Sequence, residues 1–184
     1  MQPLIALSLS VSRRIDRLNE RIGQAVIWLV PAVVLVSAGN ALARKAFDVG
    51  SNAFLEIQWY LFAAIFLLGA GTTMLRQGHV RIDVLLGRFP RRTQVKVEIF
   101  GILCFLMPFV VAVVALSWPL AANAWATGEM SENAGGLVRW PVYALVPAGF
   151  LLLGLQGVSE LIKRIGFLNG ACEDPGSSAA EVVE

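Results

Sequence analysis

Few residues in this 184-residue chain are of a type that does chemistry. Glu56 stands out, because it interrupts a long apolar run, with Gln58 and Trp59 beside it. An ionisable group in such a place is a functional candidate by default. Three readings are open for Glu56: a buried contact to a partner subunit, an ion pair with Arg44 or Lys45, or an interfacial acid snorkelling beside a tryptophan. A second group, His79, Arg81 and Asp83, alternates along one segment and predicts a local hydrogen-bond and charge network. It lacks a nucleophile paired with the histidine, so it is not a catalytic triad, and anchoring is its better reading. One His and two Cys are too few to build a zinc site, a bis-histidine haem or an iron–sulfur cluster from this chain alone. No cofactor and no enzymatic activity are expected.

The elements that must position these residues follow from composition. The chain is 57% hydrophobic and 15% charged, with a mean hydropathy of +0.68. Soluble domains are nearer a quarter charged. A net charge of +2 is also too small for a nucleic-acid binder. The class that remains is an integral membrane protein. A crossing helix needs about 20 apolar residues, and four stretches qualify: 22–43, 53–75, 99–125 and 140–162. They are too long and too uniformly apolar for barrel strands, so the expected fold class is all-α, with four transmembrane helices. Pro31 and Pro108 remove backbone donors and predict kinks, while Pro141 falls where a first helical turn tolerates it.

Charge sets the orientation. Twelve Lys and Arg fall in the N-terminal segment, the second loop and the C-terminal end, against Arg44, Lys45 and Arg139 in the other two loops. Positive charge stays inside, so both termini are expected in the cytoplasm. Residues 1–21 form a cytoplasmic segment in which Val11, Ile15, Leu18 and Ile22 recur at helical spacing among arginines. That pattern predicts an amphipathic helix on the inner leaflet, with membrane lipid as a partner. Ile82–Phe89 predicts a second interfacial element. Residues 22–165 make the membrane domain and 166–184 a flexible cytoplasmic tail, with Asn169 onward polar and rich in small residues. Cys104 lies in the third span and Cys172 in the tail, so no disulfide is expected.

Polar and small residues inside the spans carry packing information. Asn40 can bond across helices, and Gln156 and Glu160 share one face of the fourth helix, where Glu160 can pair with Lys163 or Arg164. Glycines at Gly69, Gly71, Gly149, Gly154 and Gly157 let backbones approach closely. The outer loop holds Glu129 and Glu132, two acids facing the side where a soluble partner would dock, between Trp125 and Trp140.

Taken in order, several of these segments are distinctive: Glu56-Ile57-Gln58-Trp59-Tyr60, Gly69-Ala70-Gly71, Gly78-His79-Val80-Arg81-Ile82-Asp83-Val84, Gly128-Glu129-Met130-Ser131, Arg139-Trp140-Pro141, and Pro147-Ala148-Gly149-Phe150 with Leu155-Gln156. From about Arg13 to Ile165 the chain resembles the small membrane subunit of tripartite ATP-independent periplasmic (TRAP) transporters. The resemblance implies a bacterial inner-membrane system of three parts. A periplasmic substrate-binding protein captures an organic acid, a large multi-span subunit carries it on a sodium gradient, and the small subunit braces the large one. The stretch from Phe47 to Asn52 resembles the branch that handles oxo- or hydroxy-carboxylates. Residues expected to meet partners are Glu56, Gln58, Trp59, Gly69, Gly71, His79, Arg81, Asp83, Glu129, Glu132, Arg139 and Gln156. The alternative is a small homodimeric four-span exporter coupled to protons, for which Glu56 is the candidate acid. A haem- or quinone-binding anchor is disfavoured by the single histidine outside the spans.

Overall fold

The computed structural model describes residues 2–48, 50–78 and 88–174. The alternating group His79, Arg81 and Asp83, and most of the expected element Ile82–Phe89, lie outside these. Within them the chain is helical: α1 (Gln2–Ile27), α2 (Leu29–Phe47), α3 (Asn52–Leu75), α4 (Arg91–Gly101), a π-helical turn (Ile102–Leu106), α5 (Met107–Thr127) and α6 (Trp140–Leu168). Four helical stretches are long and apolar enough to cross a membrane.

The prolines act where the sequence places them. Pro31 cannot donate to Ile27, and the regular helix is interrupted at Trp28, whose amide bonds Ala25 at 3.2 Å instead. Pro108 cannot donate to Cys104, and the turn just before it opens into a π-helix in which the Met107 amide reaches back to Ile102. Pro119 and Pro147 also sit inside helices, in α5 and α6, without interrupting them.

Boundaries differ from the expectation in one direction: the helices are longer. The third runs from Arg91 to Thr127, 37 residues, roughly 55 Å and well beyond a bilayer's hydrocarbon thickness. The N-terminal segment is not set apart from the first span, since α1 continues through Ile27. Its apolar stripe stays exposed at Val11 and Leu18. The face about 100° round from it, at Ser12 and Asn19, is fully buried against α6. The C-terminal end is not free from Asn169 either. Through Asp174 it turns back on α6, because Ala171 bonds Gly166 at 2.9 Å and Asp174 pairs with Arg91.

The spanning helices form a row, α2–α3–α6–α5, with α1 laid across α3 and α6. α6 sits at the centre because it lacks bulk where its neighbours cross. A side chain at Gly149 would lie 2.6 Å from the Leu67 carbonyl oxygen, and one at Gly154 would lie 2.9 Å from Val110. Gly157 is packed against Met107 and Leu106. A row of helices encloses little. The buried apolar side chains among the described residues are Val26, Val33, Val95, Ile102, Val110 and Ala124. Large ones such as Phe66, Leu116 and Trp28 stand more than three-quarters exposed, as suits helices solvated by lipid.

Gly149→Val should therefore force α3 and α6 apart and destabilise the fold by about 1–3 kcal/mol, the usual cost of overpacking. Gly39→Val, where nothing lies within 4 Å, should change little. Thermal unfolding of both variants in detergent checks this, and equal melting temperatures would contradict the packing.

Candidate functional site

Two polar assemblies hold the molecule, one at each end of the row. At the end bearing the loop between α5 and α6, that loop folds as a short hairpin. Met130 and Val138 face each other across an antiparallel bridge, Ser131 N bonds Leu137 O, and Arg139 N bonds Glu129 O, both at 2.9 Å. Gly128 and Gly135 take positive φ values of 62° and 71° and supply the bends. The hairpin is seated on α3 by Glu56. One carboxylate oxygen accepts from Ser131 Oγ and from Asn133 Nδ2 (2.8 Å), and the other from the Leu137 amide (2.6 Å). Tyr60, one turn along, donates to Val138 O at 2.8 Å, and Asn52 to Ala134 O at 3.1 Å. Gly136 is needed beside the carboxylate, because a side chain there would fall 2.9 Å from Glu56 Oε1.

Of the three readings open for Glu56, the ion pair with Arg44 or Lys45 is replaced by this clamp. Distance along the chain hid it: the partners lie 75 to 81 residues away. Gln58, two positions on, leaves the helix about 200° from Glu56 and takes a different side. Trp59 is 74% exposed and walls a cavity of about 200 Å³, together with Tyr60, Arg139 and Tyr143. Arg139 holds Tyr143 Oη at 3.2 Å and Glu129 at 4.0 Å. Glu132 is exposed on the hairpin's outer side. The Trp125 and Trp140 rings meet edge to face at 4.5 Å, bracing the base of the loop.

At the other end a buried network joins α1, α4 and α6. Gln156, fully buried, accepts from Asn19 Nδ2 and donates to Asp16 Oδ1, both at 2.9 Å. Ser159 donates to Asp16 at 2.7 Å and lies 2.7 Å from Ser12 Oγ. Glu160 pairs with both Lys163 and Arg164, and Arg164 reaches Glu98 on α4 at 2.8 Å. Arg91 then joins Glu98 to Asp174. Thr72 donates to the Asn19 carbonyl, and Gly71 makes room for the Asn19 side chain. Gly71 and Gln156 thus serve internal packing, while Gly69 opens toward a groove beside Val26. The α1 half of this network was missed in the sequence. Its signal is a second stripe, Ser12, Asp16, Asn19 and Gly23, about 100° round the helix from the apolar one.

Glu56 accepts from a main-chain amide and two side chains, while Asp16, Glu98 and Glu160 are held by side chains of other residues. No group of three or more His, Cys, Asp and Glu among the described residues is placed to hold a metal. Both cysteines are free thiols. The Cys172 thiol donates to Lys163 O, and burial pushes its pKa up, with the Lys163 charge pulling the other way.

The family model described as tripartite ATP-independent periplasmic transporters, DctQ component, matches residues 33–166. No curated protein matches the chain.

Glu56→Ala removes the acceptor of three hairpin donors. Hydrogen exchange at residues 129–138 should quicken by on the order of tenfold, with a smaller change for Glu56→Gln, which keeps one acceptor oxygen. Unchanged exchange in Glu56→Ala would show that the hairpin holds itself. At the other end, a raised pKa means less thiolate near neutrality, so alkylation of Cys172 should be slow at pH 7 and rise steeply with pH. Arg91→Gln, which removes the Arg91–Asp174 pair, should speed it. Rates equal to those of a free cysteine in the unmutated chain would contradict the folded-back end.

Proposed function

The chain belongs to the DctQ component family of tripartite ATP-independent periplasmic transporters, and from that membership we propose that it is the bracing, non-transporting membrane subunit of such a system. The family is one of transporter components, not of enzymes. The observation that carries the finer reading is the row of helices. It leaves two broad apolar faces uncovered and holds its few buried carboxylates in structural bonds. A secondary transporter keeps its substrate site near the midplane, on discontinuous helices. Here the polar assemblies lie at the two ends, and the helices between them are apolar apart from Asn40, buried on α2.

In this reading a large multi-span subunit covers part of the row and moves the substrate, an organic acid driven by sodium. The hairpin clamped by Glu56 is a rigid outer surface for a periplasmic substrate-binding protein. Glu132 is the acid it offers there, whereas Glu129 is tied to Arg139. Both termini lie in the cytoplasm of a bacterium with the protein in its inner membrane, as the arginine distribution supports. The apolar stripe at Val11 and Leu18 then meets the inner leaflet while the polar face of α1 binds α6.

Reconstitution tests this. Vesicles with this chain alone should take up no substrate. Vesicles with the large subunit and the binding protein should gain sodium-dependent uptake only when this chain is included. Glu132→Lys should weaken binding-protein stimulation severalfold while leaving co-purification with the large subunit intact. Uptake by the isolated chain would overturn the reading, and equal loss of docking and assembly would overturn the role of Glu132.

A further inference from the structure

Apolar side chains exposed along the spans say little, because lipid covers them. Met130 and Val138 are different. They lie on the hairpin, outside the four spanning stretches, and they are 56% and 37% exposed. They also belong to a loop whose shape is fixed by Glu56, Tyr60 and Asn52.

The ladder sorts the hairpin's side chains into two faces. The bonds from Ser131 N to Leu137 O and from Arg139 N to Glu129 O bracket the Met130–Val138 pair. Those two side chains therefore stand together on one face, and Glu129, Ser131, Leu137 and Arg139 take the other. Burial follows the same alternation: 129, 131, 137 and 139 are half-buried, while 130, 132 and 138 are exposed. The half-buried face is turned to the helices, since Ser131 meets Glu56 on α3 and Arg139 meets Tyr143 on α6. The tip of the hairpin is held by Asn52, the first residue of α3, and its base runs into Trp140, the first residue of α6. The hairpin is thus laid across the ends of these two helices, and Met130 and Val138 look away from them.

An apolar pair fixed in this position gains free energy when something covers it. Glu132, exposed two residues beyond Met130, sets a negative charge beside the pair. An apolar centre with a charged rim is the anatomy of a protein interface, and methionine is enriched at such centres. A lipid tail is the poorer occupant, because acyl chains lie along the spans and this face is turned from them. We propose that Met130 and Val138 are the apolar centre of the surface on which the periplasmic binding protein docks, and that the binding protein meets them with an apolar patch flanked by a lysine or arginine for Glu132. The inference rests on the bracing reading above, which puts the hairpin in the periplasm.

The test uses this chain in complex with its large subunit, in lipid nanodiscs, and the purified periplasmic binding protein of the same system. Dilute peroxide oxidises exposed methionines, and the peptide carrying Met130 is followed by mass spectrometry. The binding protein should slow oxidation of Met130 severalfold. Met130→Ser with Val138→Thr should weaken its binding about tenfold, the scale of two partly buried apolar side chains, at low and high salt alike. Glu132→Lys should weaken binding only at low salt. Hydrogen exchange at residues 129–138 should match the unmutated complex in these variants, since the altered side chains point away from α3. If exchange quickens in the double variant, the oxidation footprint of the unmutated complex decides. Binding that leaves Met130 oxidation unchanged, or equal binding to a folded double variant, would overturn the proposal and leave the bracing reading standing. A binding protein that fails to bind the unmutated complex would overturn the docking reading and this proposal with it.

Discussion

α6 touches α1, α3 and α5 because it is built of what lipid cannot supply. Between helices in hydrocarbon there is no hydrophobic drive, so association depends on close van der Waals contact and on hydrogen bonds. α6 provides the first through Gly149, Gly154 and Gly157, each facing a neighbour's atoms at a distance that excludes a side chain. It provides the second through Gln156, Ser159, Glu160 and Arg164, all buried. The first set fixes how near the helices come, and the second fixes their register. Buried ion pairs such as Glu160–Arg164–Glu98 are weak evidence for net stability. Their value here is positional, since sliding α4 or α1 by one turn would strand a charge in a place without water.

The two ends use polar chemistry for opposite reasons. The network around Asp16 and Gln156 joins helices to one another, so its members come from α1, α3, α4 and α6. The clamp around Glu56 joins a helix to a loop, and its donors include a main-chain amide. A Gly-rich loop of this kind is entropically costly to order. One carboxylate with three donors, helped by Tyr60 and Asn52, gives it a single shape. A loop that only connected α5 to α6 would not need this, which is why the clamp is read as preparing a surface.

How much of this was legible depended on the range of the interaction. Local signals were read directly: the four apolar stretches, the interruption near Pro31, the irregular turn before Pro108, and the pairing of Glu160 with residues three and four positions on. Contacts between distant segments were not. Glu56 was marked as important, but its real partners, Ser131, Asn133 and the Leu137 amide, carry no sign in the sequence. The polar stripe of α1 was overlooked for a physical reason. An amphipathic helix at a membrane surface and one docked by its polar face onto a bundle have the same periodicity, and only the partner face on α6 tells them apart. The glycines gave the opposite difficulty. The sequence does not tell them apart, yet Gly149 meets a backbone carbonyl while Gly39 meets nothing.

An open row is an unusual end point for helices that could close into a bundle, and its energetics differ from those of a bundle. α2 and α5 lie at opposite edges, so the apolar faces of α3 and α6 are covered only where α1 crosses them. In lipid this costs little, because acyl chains solvate Phe62, Phe66 and Leu116 as well as another helix would. A closed bundle shields its interior and presents a small outer surface. A flat one, stiffened at both ends by polar clamps, presents the largest area per helix to a neighbour. It also keeps that area fixed, because shifting α1, α3, α4 or α6 would break bonds that nothing in the membrane replaces. Those properties are what the proposed bracing role would draw on.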